Sequence, residues 1–403
     1  MATDAALRDD AKAMTGDLVE LRRTLHRTPE VGLRLPRTQE TVLGALDGLG
    51  LEVTTGAALS SVTAVLRGGA PGGPAVLLRG DLDALPVTEA TGLPYASEVA
   101  DTMHACGHDL HTTMLVGAAR LLAAHRDALV GDVVFMFQPG EEGWDGARHM
   151  IDEGVLDAAG SRVVGAFGMH VLSAQVPRGV FATRPETVMA ASDMLMVTVH
   201  GAGGHGSAPH LARDPITAAA EMVIALQTMV TRRFDVFDPV VISVGLIRGG
   251  TRRNIIPEEV RFEATVRTFS QSARTLVRTE SVRVCENVAA AHGVTVQAEY
   301  LDEYPATVND AGAAAFAADV VAETFGEERY QPMHAPLGGS EDFSRVLAEV
   351  PGCYLMLGAS PADDPTTTPY NHSPHAEFDD SVLPDGALLH ARLAVEALRR
   401  ATN

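Results

Sequence analysis

Three observations in the sequence predict an α/β fold interrupted by a ferredoxin-like α+β unit. Apolar runs of strand length alternate with amphipathic segments of helix length at both ends of the 403-residue chain. The strand-like runs of the first part stop at loops rich in acids, histidine or cysteine, which puts a ligand site at the strand ends. Between residues 189 and 301 the order becomes β-α-β-β-α-β, the ferredoxin-like sequence of elements.

In chain order, residues 17–51 carry apolar side chains at helical spacing. That pattern breaks at Thr28-Pro29 and Leu35-Pro36, because proline lacks an amide hydrogen and disfavours helix in the residue before it. The Val/Leu-rich run 75–79 reads as a buried strand, 109–125 as a helix, and 132–138 as a second strand that ends at Pro139-Gly140-Glu141-Glu142. A third strand covers 163–171. The inserted unit reads as a strand at 193–199, a helix at 214–233, strands at 239–247 and 259–268, a helix at 272–292 and a strand at 294–301. A helix at 311–325 and a strand at 353–357 then resume the α/β pattern. The expected organisation is a catalytic domain in two parts, 1–188 and 302–403, around an inserted domain at 189–301. The length independently calls for two domains.

Composition narrows the function. The chain is 46% hydrophobic and 21% charged, as for an ordinary globular protein, and its formal charge is −21. Nucleic acid and anionic membrane are poor partners for such a surface, since both need a basic face. No apolar run reaches the ~18 residues that span a bilayer. Residues 1–16 carry Asp4, Asp9 and Asp10 and have no apolar core of a signal peptide, so the cytoplasm is the expected compartment. Three cysteines, Cys106, Cys285 and Cys353, are too few and too odd in number for a disulfide framework.

Several strand ends carry groups suited to a metal: Asp81 and Asp83, His104 to Asp109, the Glu141-Glu142 pair, and His170, with Asn371-His372 as a further group. Taken singly, Asp83 fits a turn acid, Glu141-Glu142 a solvated pair, and His372 a loop residue before proline. Together they point to one centre. Cys106 and His108, two apart in a glycine-containing turn, can aim a thiolate and an imidazole at one point. Adjacent glutamates repel, and they make sense if one binds a metal while the other carries a proton.

The runs Leu78-Arg-Gly-Asp-Leu-Asp-Ala-Leu-Pro-Val87, Met103-His-Ala-Cys-Gly-His-Asp109, Gln138-Pro-Gly-Glu-Glu-Gly143 and Gly338-Gly-Ser-Glu-Asp-Phe343 resemble the amidohydrolase branch of the aminoacylase metallopeptidase family. Hippurate hydrolase and the indoleacetyl-amino-acid hydrolases belong to it. Leu21 to Glu30 and Asn371 to Pro374 extend the likeness over nearly the whole chain. The resemblance implies a mixed-sheet metallohydrolase domain with an inserted lid, two divalent metal ions per chain, and hydrolysis of the amide bond of N-acyl amino acids.

By the same resemblance, Cys106 would bridge the metals, His108 and His170 would complete one site, and Glu142 and His372 the other. Glu141 would be the general base and Asp83 an acid that orients a ligand. In the lid, His205 would donate to the oxyanion, while Asn254 and Arg267 would hold the substrate carboxylate. Several relatives take that histidine from a partner subunit, which leaves a homodimer through the lid and a site within one chain both open. The mixed ligand set suits Zn²⁺, Mn²⁺, Co²⁺ or Ni²⁺.

Trp144, the only tryptophan, departs from the family's usual glycine after Glu-Glu-Gly and reads equally as a core anchor or a pocket wall. A dipeptidase or carboxypeptidase on the same scaffold is the nearest rival reading. A metal-binding protein without turnover is the other.

Overall fold

The computed structural model describes residues 4–70 and 72–402. Helices α1 (Asp4–Ala13), α2 (Thr15–Arg27) and α3 (Pro36–Leu46) lead into strands β1 (Glu52–Thr55), β2 (Val62–Leu66) and β3 (Ala75–Asp81). Then come α4 (His108–Ala124), β4 (Asp132–Gln138), α5 (Gly146–Asp152), β5 (Gly165–Leu172), β6 (Phe181–Thr183) and β7 (Glu186–Met189). The middle of the chain carries β8 (Ala191–His200), β9 (Gly204–His205), α6 (Pro215–Arg233), β10 (Val241–Gly249), β11 (Ile255–Ile256), β12 (Glu259–Thr268), α7 (Gln271–His292) and β13 (Thr295–Tyr304). The last part is β14 (Thr307–Asn309), α8 (Ala311–Phe325), β15 (Tyr330–Pro332), α9 (Ser344–Glu349), β16 (Gly352–Gly358) and α10 (Leu383–Thr402). These elements divide into two units. One is Met1–Val188 with Val308–Ala335 and Arg345–Asn403; the other is Met189–Thr307 with Pro336–Ser344.

The first unit is built on an eight-stranded sheet in the order β1-β2-β4-β3-β5-β16-β6-β15. The inner pairs β3 with β4, β3 with β5 and β5 with β16 are parallel, while β1 with β2, β2 with β4 and β16 with β6 are antiparallel, so the sheet is mixed as expected. Every residue of β3, β5 and β16 is buried. Their unbroken apolar runs follow from being covered on both faces. Helix α4 is buried from His108 to Ala119 and lies in the core with Leu18 of α2 and Leu389 and Leu393 of α10. The carboxyl ends of β3, β4 and β5 and the amino end of α4 carry the acid, histidine and cysteine motifs.

The second unit is a four-stranded antiparallel sheet in the order β10-β12-β8-β13 with helices α6 and α7. Numbered along the chain, that order is 2-3-1-4, which is the ferredoxin-like arrangement. Strand β12 alternates exposed and buried residues, with Val260, Phe262, Ala264 and Val266 inward among Met222, Leu226, Val277 and Cys285. Side chains start the helices: Asp214 Oδ1 accepts from the Ile216 amide at 2.9 Å with Pro215 in the first turn, and Ser270 Oγ accepts from the Ala273 amide at 3.0 Å. Among the described residues no helix is long and apolar enough to cross a membrane.

Candidate metal centre

The site is assembled on the first unit by backbone hydrogen bonds that hold four loops together. The Cys106-Gly107-His108 turn opens α4, and Gly107 has φ +87. A side chain there would be strained by that angle, and a Cβ would sit 2.4 Å from Cγ2 of Val171. This close turn is what aims the Cys106 sulfur and the His108 ring to one side. His170 comes from β5. His372 comes from the loop before α10, where its amide donates to the Ala105 carbonyl at 2.8 Å.

These side chains converge. Cys106 Sγ lies 3.3 Å from His170 Nε2 and 3.3 Å from His372 Nε2. His372 Nε2 is 3.1 Å from Glu142 Oε1, and His108 Nε2 is 4.0 Å from Glu141 Oε2. The ligand atoms of Cys106, His108 and His170 all fall within 4.8 Å of one another, and so do those of Cys106, Glu142 and His372. The two triads share one sulfur. His108 Nδ1 donates to the Asp83 carbonyl at 2.8 Å and His170 Nδ1 to the Val171 carbonyl at 2.8 Å, which turns each Nε2 toward the cluster. His108 Nε2 is buried with no hydrogen-bond partner among the described residues. Such a donor set, with an orphaned imidazole nitrogen and a shared thiolate, fits divalent cations.

The electrostatics show a cluster short of positive charge. Burial pushes the Cys106 thiol upward and Glu142 adds to the shift. Burial would push His108 down, yet Asp81 and Cys106 outweigh it and hold it well above the usual histidine range. Hydrogen bonds to Cys106 and Glu142 raise His372 to about 10. Protons therefore occupy ring nitrogens between anions, and bound cations would satisfy those anions instead.

The Asp83 carboxylate takes the Glu141 amide at 2.9 Å on one oxygen and the Glu142 amide at 3.1 Å on the other. It thus fixes the turn that splits the two glutamates, while its carbonyl orients His108. Glu141 is buried beside His108, and Glu142 is half-buried beside His372.

The remaining three site residues lie on the second unit. His205 and Asn254 meet there: β9 pairs with β11, Ile255 faces His205, and the Gly206 amide donates to the Asn254 carbonyl at 2.9 Å. His205 Nδ1 accepts from the Ser207 amide at 3.2 Å, which leaves Nε2 as the protonated nitrogen. Arg267 sits on β12, its Nη1 donating to Ser192 Oγ at 2.8 Å and Thr265 Oγ1 at 2.5 Å, and burial lowers its pKa.

Sequence reasoning named Asp81 and Asn371 only as members of the metal-suited loops, and it did not foresee how these and other residues brace the centre. His111 Nδ1 donates to Asp81 Oδ1 at 2.6 Å while its Nε2 accepts the Val171 amide at 2.8 Å, tying β3, α4 and β5 together beside His170. Asp81 is buried and paired with Arg79 at 2.5 Å. Asn371 Nδ2 donates to the carbonyls of Cys106 at 3.1 Å and Val171 at 3.0 Å, locking the His372 loop onto the cysteine turn. Arg22 of α2 donates to Asp109 at 2.7 Å, and so does His26 Nδ1, with both groups buried in the first unit. One signal was available for this last pair: Leu18, Arg22, Leu25 and His26 share the buried face of α2, where a cation needs a partner.

The sequence profile of Peptidase family M20/M25/M40 matches residues 77–396. The chain is 37% identical to thermostable carboxypeptidase 2 of Saccharolobus solfataricus over 394 residues, 97% of this chain and 98% of that one. It is 35% identical to hippurate hydrolase of Campylobacter jejuni over 389 residues, covering 96% and 98% of the two chains. The fold is similar to the crystal structure of a Bacillus subtilis protein described as a dinuclear metal binding peptidase of the M20 family. The TM-score is 0.82 at 32% identity, over 96% of this chain and 99% of that one.

Proposed function

The chain belongs to Peptidase family M20/M25/M40, and on that premise we propose that it is a two-metal amidohydrolase that cuts the amide bond of small N-acyl amino acids. The observation that carries this reading is the pair of ligand triads meeting at the Cys106 sulfur. Cys106 would bridge two divalent ions, with His108 and His170 on one and Glu142 and His372 on the other. The ions, when bound, would acidify a water and polarise the scissile carbonyl.

Glu141, beside His108 and outside the two triads that share the Cys106 sulfur, would take that water's proton and return it to the leaving amine. Asp83 keeps Glu141 and Glu142 pointing apart through their amides. His205, with Nε2 protonated, is suited to donate to the oxyanion, and Asn254 and Arg267 to hold the substrate carboxylate. A homodimer through the second unit would supply His205 from a partner, whereas a monomer would supply it within the chain. Three free, buried cysteines suit a reducing compartment such as the cytoplasm.

The two glutamates give the test. Glu141→Gln should keep its metals and lose hydrolysis of N-benzoylglycine by ~100-fold or more, as for a lost general base. Glu142→Gln should lose metal first and regain part of its rate in excess metal. Rescue of Glu141→Gln instead would reverse the assignment, and unchanged turnover in both would end it. A carboxypeptidase is the second reading, favoured by the identity to the Saccharolobus enzyme. Faster release of the C-terminal residue from longer peptides than from N-acyl amino acids would support it.

A further inference from the structure

We propose that Trp144 is a specificity-determining residue, a fixed platform on which a planar aromatic group of the substrate stacks. The inference rests on the hydrolase reading and adds a substrate class to it. Trp144 is 52% exposed, so it is not a core anchor, although the residues that lead up to it, Phe137 to Glu141, are buried. An indole is among the largest apolar groups, and leaving it in water two residues along the chain from Glu142 is unfavourable unless something covers it.

The ring is held on the same frame as the proposed base. The loop from Gly140 to Gly146 closes on itself, the Gly143 amide donating to the Glu141 carbonyl at 2.8 Å and the Gly146 amide to the Gly140 carbonyl at 3.0 Å. Trp144 sits at the apex of that loop, two residues after Glu142. The next residue, Asp145, adopts φ +55 and is clamped by Arg345 through two bonds of 3.1 and 2.8 Å. Beneath the indole lies bare backbone. Gly32 has φ +86, and a Cβ there would come within 3.2 Å of Cε2 of Trp144.

The segment bearing Gly32 is itself tied to the site. The Glu30 carbonyl accepts from the Ala84 amide at 2.7 Å, adjacent to Asp83, whose carboxylate holds both glutamate amides. Glutamates and indole are therefore mounted on one short, hydrogen-bonded frame. Val31, 38% exposed beside Gly32, is a further exposed apolar side chain on that frame. A ring pinned by glycine on one side and open on the other is pre-organised for stacking, since little side-chain freedom remains to be lost.

The aromatic group has two sources in such a substrate: the acyl part or the amino-acid side chain. Because this is the only tryptophan, its fluorescence reports the platform directly. Metal-loaded Glu141→Gln protein would be titrated with N-benzoylglycine, N-acetylphenylalanine and N-acetylalanine. In parallel, kcat/KM for all three would be measured in the wild type, Trp144→Phe and Trp144→Ala. The proposal expects a saturable fluorescence change with at least one aromatic compound and none with N-acetylalanine.

It also expects the aromatic-to-aliphatic ratio of kcat/KM to fall ~3- to 10-fold in Trp144→Ala, the range of one lost stacking contact, with Trp144→Phe retaining most of it. A response to N-benzoylglycine alone assigns the acyl side, and to N-acetylphenylalanine alone the amino-acid side. No fluorescence response together with an unchanged ratio overturns the proposal while leaving the hydrolase intact. If the wild type hydrolyses none of the three, the hydrolase reading fails separately, and a lack of aromatic-selective fluorescence then overturns the platform as well.

Discussion

His372 shows how much one side chain reveals about the centre. In the cation-free cluster its pKa is raised to about 10 by Cys106 and Glu142, so the ring carries a proton at neutral pH. A cation bound through Nε2 must expel that proton. The folded, metal-free state is the one that holds it, so metal affinity should rise with pH through the neutral range, by about tenfold per unit for each proton expelled, and level off above about 10. His108, held well above its usual range by Asp81 and Cys106 against burial, pushes in the same direction. Calorimetric metal titration of stripped protein at pH 7, in two buffers of different ionisation enthalpy, would count the protons. Stoichiometric release is expected; an affinity independent of pH would show that these nitrogens are not ligands.

At the scale of elements, the centre depends on how α4 is held. Its first turn carries His108 and Asp109 side by side, one facing the cluster and the other paired to Arg22 and His26 of α2. Asp109 is held far below the usual carboxylate range: burial opposes this, but Arg22 and His26 prevail. Removing the Asp109 charge takes the buried acceptor from His26 and from Arg22 Nε, and leaves Arg22 only Asp380 and Tyr95 as partners. Asp109→Asn should therefore destabilise the metal-free protein by ~3 kcal/mol or more, read as a lower midpoint in urea. A change within ~0.5 kcal/mol, the size of an ordinary surface substitution, would mean that the pair is not formed. Strands β3, β4, β5 and β16 were legible in the sequence because burial on both faces writes them as unbroken apolar runs. Strand β1 was not, since all four of its residues are exposed and carry no core-facing alternation. The Arg22 to Asp109 pairing joins residues 87 apart, a distance that no local pattern encodes.

Over the whole molecule, four separated segments supply Cys106 with His108, Glu142, His170 and His372, and only the sheet gathers their ligand atoms into two groups, each within 4.8 Å, that share one sulfur. The motifs that carry these residues were readable one by one, because strand ends in an α/β sheet gather ligands. Their bracing by His111 and Asn371 was not, since each acts through backbone groups of another segment. Trp144 stood open between core and pocket until its exposure was known. The central claim is that this folding builds one dinuclear hydrolytic centre. Its most direct test is to strip the protein, add back Zn²⁺, Mn²⁺, Co²⁺ or Ni²⁺ stepwise, and follow bound metal by elemental analysis together with hydrolysis of N-benzoylglycine and N-acetyl amino acids. Occupancy should rise to two ions per chain with activity rising alongside it, and Cys106→Ser should bind fewer. Full activity in strong chelator with no bound metal, or unchanged occupancy in Cys106→Ser, would contradict it.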